Sequence, residues 1–163
     1  MYEAAVEQAR APEFYTALGV PDTVDGRFEL IALHGFLIMH RLKEEPGKGP
    51  ALAQSLFDFM FADMDAALRE MGAGDLGVGR RVKTMAKGLL GRIAAYQTGL
   101  GDNDPGTLES ALRRNLYGTV EPDPAHVAAV AAYVRAATGL LAGQTADGFL
   151  AGKVQFPAVP GRR

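Results

Sequence analysis

Apolar positions recur every three to four residues along almost the whole chain, and no stretch alternates as a half-buried strand would. The pattern predicts a short helix from about Tyr2 and a second from near Pro12, a residue suited to a helix's first turn. The stretch GVPDT then breaks the chain, and Asp22 or Thr23 caps a third helix that runs to about Glu45 and stops before Pro46. Its apolar residues, among them Phe28, Leu33, Phe36 and Met39, surround most of the cylinder, which predicts a place at the centre of the core.

After the loop EPGKGP a fourth helix is predicted from Ala51 to Met71, with Leu52, Leu56, Met60, Met64, Leu68 and Met71 in its stripe. Its opposite face holds Asp58, Asp65 and Arg69, and Phe59 sits off the stripe. A fifth runs to about Leu100 with Val82, Met85, Leu89, Ile93 and Tyr96 on one face. The turn GDNDPG precedes a shorter helix over Thr107 to Tyr117, and EPDP opens an alanine-rich one that ends near Ala142. A last helical turn is predicted around Asp147 to Ala151. The tail VQFPAVPGRR is too rich in proline for regular structure, so it either packs as an extended arm or is mobile. The expectation is a compact, all-α, single-domain bundle of six to eight helices over residues 1–152, with a tail over 153–163.

Composition narrows the function. The 163 residues suffice for one domain with a proper core. A net charge of −2 gives no global field toward DNA or an anionic membrane. With no cysteine, a disulfide framework, a thiolate nucleophile and a sulfur-ligated zinc site are all excluded. The start MYEAAVEQAR carries an early acid and no apolar segment, unlike a signal peptide. Leu30 to Met39 reaches about half of the roughly 20 residues of a membrane span. The longer stretch from Ala125 to Gly143 is interrupted by Arg135, and both are expected to be core helices.

The stretch MGAGDLGVGRR contains a literal G-x-G-x-x-G at Gly72, Gly74 and Gly77. A dinucleotide fingerprint needs a strand before the glycines and an acid about 20 residues beyond. Here a helix precedes them, and no acid lies between Asp75 and Asp102. The better reading is a turn, with Gly72 ending one helix, Gly74 within the turn and Asp75 capping the next helix. His34 and His40 lie on different sides of one helix and cannot share a metal, and no Glu-x-x-His pair is present. Neither catalytic groups nor a cofactor or metal site emerge, so a non-enzyme is expected.

Charge is segregated instead. Asp58, Asp63, Asp65, Glu70 and Asp75 stand against one base, Arg69; Arg80, Arg81, Lys83, Lys87 and Arg92 follow without an acid. Two adjacent helices could exchange surface ion pairs, each contributing roughly 0–1 kcal/mol. The alternative is a charged platform that docks a partner.

YEAAVEQARAPEFYTALGVPDTVDGRFELIALHGFLIMHRL, followed by SLFDFMFADMDAALREMGAGDLGVGRRVKTMAKGLLGRIAAY, resembles the ubiquinol–cytochrome c chaperone family, bacterial relatives of a mitochondrial assembly factor for cytochrome b. The specific parts are VPDTVDGRF, the histidine of ALH, LFDFMFADMDAALREMG and the basic helix ending in Gly91, Arg92 and Tyr96; Leu89 and Leu90 replace a frequent aromatic pair. The resemblance implies a non-catalytic, all-helical protein that binds cytochrome b or an assembly partner during complex III biogenesis. The expected partner-binding residues are Asp58, Phe59, Asp65, Arg69, Arg80, Lys83, Lys87 and Arg92. The expected location is the cytoplasm, with peripheral contact at the inner face of the cytoplasmic membrane. The alternative is a small helical ribosome- or RNA-associated protein using the basic helix.

Overall fold

A computed structural model describes the backbone of residues 1–70 and 75–161; the side chains of Leu68, residues 75–83, Met85 and Ala86 lie outside the described set. The described residues form eight helices and no strand: α1 Tyr2–Ala9, α2 Glu13–Thr16, α3 Val24–Lys43, α4 Gly49–Glu70, α5 Asp75–Gly101, α6 Pro105–Asn115, α7 Pro124–Ala142 and α8 Ala146–Leu150. The all-α expectation holds, and most boundaries fall within two residues of those predicted.

Capping chemistry explains the starts. Thr23, Asp104, Asp123 and Thr145 each accept a backbone N–H from the first turn of α3, α6, α7 and α8. Proline occupies the first turn of α6 and α7, where its missing N–H leaves no bond unmade. The predicted turn at Gly72 and Gly74, the cap at Asp75, and the stripe residues Leu68, Met71, Val82 and Met85 fall outside the described backbone or side chains.

Helix α3 is the hub, packing against α1, α4, α5 and α7. Leu30, Leu33, Phe36, Leu37, Ile38 and Leu42 are all fully buried along it, on several sides, as its all-round apolar pattern predicts. Two glycines permit close helix approach. A Cβ on Gly35 would lie 2.4 Å from the sulfur of Met60 on α4, and one on Gly99 would lie 2.7 Å from the Cα of Leu108 on α6.

By length and composition alone, α7 is apolar enough to cross a bilayer, with a mean hydropathy of 1.4. One face, including Val127, Val130, Val134 and Leu141, is buried in the core, while Ala128, Ala132 and Arg135 face outward.

His34 is fully buried. Its Nδ1 lies 2.7 Å from the Leu30 carbonyl and its Nε2 2.9 Å from the Tyr133 hydroxyl. The arrangement fits a neutral ring that donates through Nδ1 and accepts at Nε2. Burial pulls its pKa down to about 4, against a smaller opposing effect of the Leu30 bond. Gln8 donates 3.0 Å to the same Tyr133 oxygen and 3.2 Å to the Pro157 carbonyl. Through these contacts the network joins α1, α3, α7 and the tail.

The tail packs as an extended arm. Gln144 and Gln155 exchange two bonds, Gln155 N–H to Gln144 Oε1 at 2.9 Å and Gln144 Nε2 to the Gln155 carbonyl at 2.8 Å. Phe156 sets its ring edge-on to His34 at 5.1 Å, and Val159 is buried.

Candidate functional site

A groove of about 810 Å³ opens between the first two turns of α3, the second half of α4, α5, and the end of α6 with the turn beyond it. That volume lies in the usual range for binding clefts. Its walls are mainly apolar: Val24, Phe28 and Ile31 come from α3, Met64 and Ala67 from α4, and Leu116 from the turn after α6.

The charged group deepest in this groove is one the sequence reading missed. Glu29 is only 7% exposed, and it meets Arg92 of α5. Arg92 Nε donates to both carboxylate oxygens at 2.9 and 2.6 Å, and Nη2 also donates to Oε1. The guanidinium lies 5.7 Å from the centre of the Phe28 ring, a cation–π contact. Burial pushes the Glu29 carboxyl above its ordinary pKa even though Arg92's hydrogen bond and charge both oppose the shift. Desolvation therefore outweighs the pair's attraction, as is common for buried ion pairs. Beside it, Tyr96 is buried with no hydrogen-bond partner for its hydroxyl among the described residues, and burial raises its pKa well above the usual phenol value.

At the groove's outer edge, the Tyr2 hydroxyl donates 2.6 Å to Asp63, and the Tyr2 ring meets Phe59 edge-on at 5.3 Å. Burial, then the bond to Asp63, pushes the Tyr2 hydroxyl far above its ordinary pKa. Phe59 is 60% exposed, so no helix covers it.

The other expected partner-binding residues are distributed as follows. Asp58 is exposed and accepts from Gln54 at 2.9 Å. Asp65 is engaged by Arg69 of its own helix at 3.0 Å. Lys87 is exposed. Arg92 lies inside the groove on Glu29, apart from Lys87. The side chains of Arg80, Arg81 and Lys83 lie outside the described residues, as do Gly72, Gly74 and the side chain of Asp75. Among the described residues no ion pair joins α4 to α5. No three His, Cys, Asp or Glu side chains in the described set gather as metal ligands. An acid set among the apolar residues that surround most of α3 was the available signal for Glu29, since such a charge needs a partner if buried.

Comparison with known proteins places this architecture. The family model described as "Ubiquinol-cytochrome C chaperone" matches residues 16–156. The chain belongs to the ubiquinol–cytochrome c chaperone family. The crystal structure of the Cbp3 homolog from Brucella abortus superimposes with a TM-score of 0.87 at 39% identity, covering 98% of this chain and 88% of that one. Among curated relatives, human ubiquinol-cytochrome c reductase complex assembly factor 1 is 28% identical over 135 residues, 83% of this chain and 45% of its own length. Protein CBP3, mitochondrial, from Saccharomyces cerevisiae is 30% identical over 159 residues, 95% of this chain and 47% of its own. The family member described here thus spans about half the length of these curated relatives.

Proposed function

We propose that this chain is a non-catalytic assembly chaperone that holds cytochrome b, or a partner protein bound to it, while ubiquinol–cytochrome c reductase is built. The supporting observation is structural: on a family fold whose relatives are named as assembly factors of that complex, the groove between α3, α4, α5 and α6 is mainly apolar-walled. The charged pair within it is satisfied internally. Such a cleft suits binding of an apolar chain segment better than chemistry, which needs groups free to change protonation or attack. On this reading the chain works in the cytoplasm, in peripheral contact with the inner face of the cytoplasmic membrane, where an unassembled membrane subunit would be met.

The test is deletion of the gene in its native host, with cytochrome b level and complex III activity measured together. Both should fall, and both should recover when the intact gene is restored. Normal levels of each in the deletion strain would refute the reading.

A further inference from the structure

We propose that Gly88 keeps the Arg92 guanidinium on Glu29 and off the groove's apolar walls, and so determines whether the groove accepts an uncharged apolar segment. This rests on the chaperone reading and names a residue that positions one of the groove's charges.

The geometry of the ion pair carries the argument. Arg92 meets the carboxylate side-on: Nε and Nη2 both donate to Glu29, which leaves Nη1 at the far corner of the planar guanidinium. That corner turns back over α5 at Gly88, one turn earlier. A Cβ on Gly88 would lie 2.6 Å from Nη1 and 3.8 Å from Cζ. Among the described residues outside the α5 backbone and the chain neighbours of Gly88, no other atom comes within 4 Å. The space left by the missing side chain is therefore filled by the guanidinium alone.

The end of a long side chain usually swings away from a new methyl. Here the carboxylate blocks one direction and the Phe28 ring, 5.7 Å from the guanidinium carbon, blocks another. Glu29 cannot give way to solvent either, since it is buried. Glycine inside a helix is otherwise a weakness, because it raises the entropy of the unfolded chain and adds no contact. Gly91, in the same helix, has open space where its Cβ would stand, so it serves as a control.

Arg92 lines the groove with Phe28 and Ile31, and a quarter of its side chain is accessible. A guanidinium pushed off Glu29 remains tethered in that wall and enters the groove. An apolar occupant would then have to strip water from a full charge that Glu29 neutralises in the native arrangement.

Two measurements test this. The first is thermal unfolding of the full chain carrying Gly88→Ala, Arg92→Met, both changes together, or Gly91→Ala. Methionine ends short of the Nη1 position, so in the double variant the new methyl has nothing to strike. Gly88→Ala alone should lower the melting temperature by at least about 2 °C. In the Arg92→Met background it should raise it by about 2–4 °C, as Gly91→Ala does in the wild type. Arg92→Lys, which has no Nη1, replaces Arg92→Met if that variant does not fold. A change of the same sign in both backgrounds overturns the proposal.

The second is binding of an uncharged, labelled Leu/Ala/Gln helical peptide about 15 residues long, read by fluorescence anisotropy at pH 7. Gly88→Ala should weaken binding about tenfold, Gly91→Ala should leave it unchanged, and adding Arg92→Met should remove the loss. Equal binding by the wild type and Gly88→Ala overturns the role in the groove. So does a loss that persists without the guanidinium, or a wild type that binds no peptide. Recovery of cytochrome b with the tagged protein from its host keeps the two readings apart. Gly88→Ala should recover less than the wild type; full recovery overturns this role and leaves the chaperone reading standing. No recovery by the wild type counts against the chaperone reading, while the melting temperatures still decide Gly88.

Discussion

Replacing Arg92 by Met removes the ionic partner that the described residues give a carboxylate only 7% exposed, while keeping much of the side chain's apolar volume. Breaking a buried pair from one side typically costs about 3–5 kcal/mol. Here a lower ceiling applies, because Glu29 can take a proton instead of staying charged. For a carboxyl of ordinary pKa 4.5, protonation at pH 7 requires about 3.4 kcal/mol, at about 1.36 kcal/mol per pH unit. The electrostatic loss in Arg92→Met at pH 7 should therefore be about 2–3.4 kcal/mol, since Arg92 is itself partly exposed. At pH 5 the same ceiling drops to about 0.7 kcal/mol.

Glu29→Gln, which keeps an acceptor for Arg92 without the charge, should change stability by less than about 1 kcal/mol at pH 7. The direction agrees with the wild type. A carboxyl whose folded pKa lies above its unfolded value binds its proton more tightly when folded, so its contribution falls as pH rises through that folded value. Urea unfolding of the three proteins at pH 7 and pH 5 measures all of this. An Arg92→Met penalty equally large at both pH values, or a Glu29→Gln penalty as large as that of Arg92→Met at pH 7, would refute desolvation as the dominant influence on Glu29.

His34 should impose the opposite slope. Its pKa is near 4 folded against 6.5 ordinarily, so the unfolded chain takes a proton first, and stability is lost as pH falls from 6.5 toward 4. Between pH 6.5 and 5 this amounts to about 2 kcal/mol; His34→Gln should show a shallower decline in urea unfolding, and an unchanged slope would refute the assignment. Gly99→Ala places a methyl 2.7 Å from backbone that cannot rotate away. Overpacking of about 1–3 kcal/mol should outweigh the helix-propensity gain of about 1 kcal/mol and lower the melting temperature; a raised melting temperature would show that α5 and α6 separate freely.

The helices were legible because their signals are local. Thr23 as a cap, and GDNDPG and EPDP as stop-and-start signals, act within a turn of the residues they organise. The centrality of α3 was equally readable, because apolar residues on every side leave a helix no face for water. The groove was not legible, because its defining pair joins residues 63 apart in sequence. Periodicity assigns each charge to a face of its own helix and says nothing of what lies opposite. For the same reason Arg92 looked like part of a basic stripe with Lys87, although distant Glu29 determines where its guanidinium rests. Phe59 was singled out for lying off its stripe, and that local signal carried through to an exposed ring.

The arm's contacts also set an order of events during synthesis. Gln8 is made well before Tyr133 and Pro157, its partners 125 and 149 residues downstream. While the chain is being translated, α1 has neither partner and His34 lacks Tyr133. The early helices can form, but their polar network closes only when translation has reached the arm. Contacts of such separation fold slowly, so a nascent chain of this protein spends its synthesis with α1 unanchored at that end and acquires its final packing after the arm emerges.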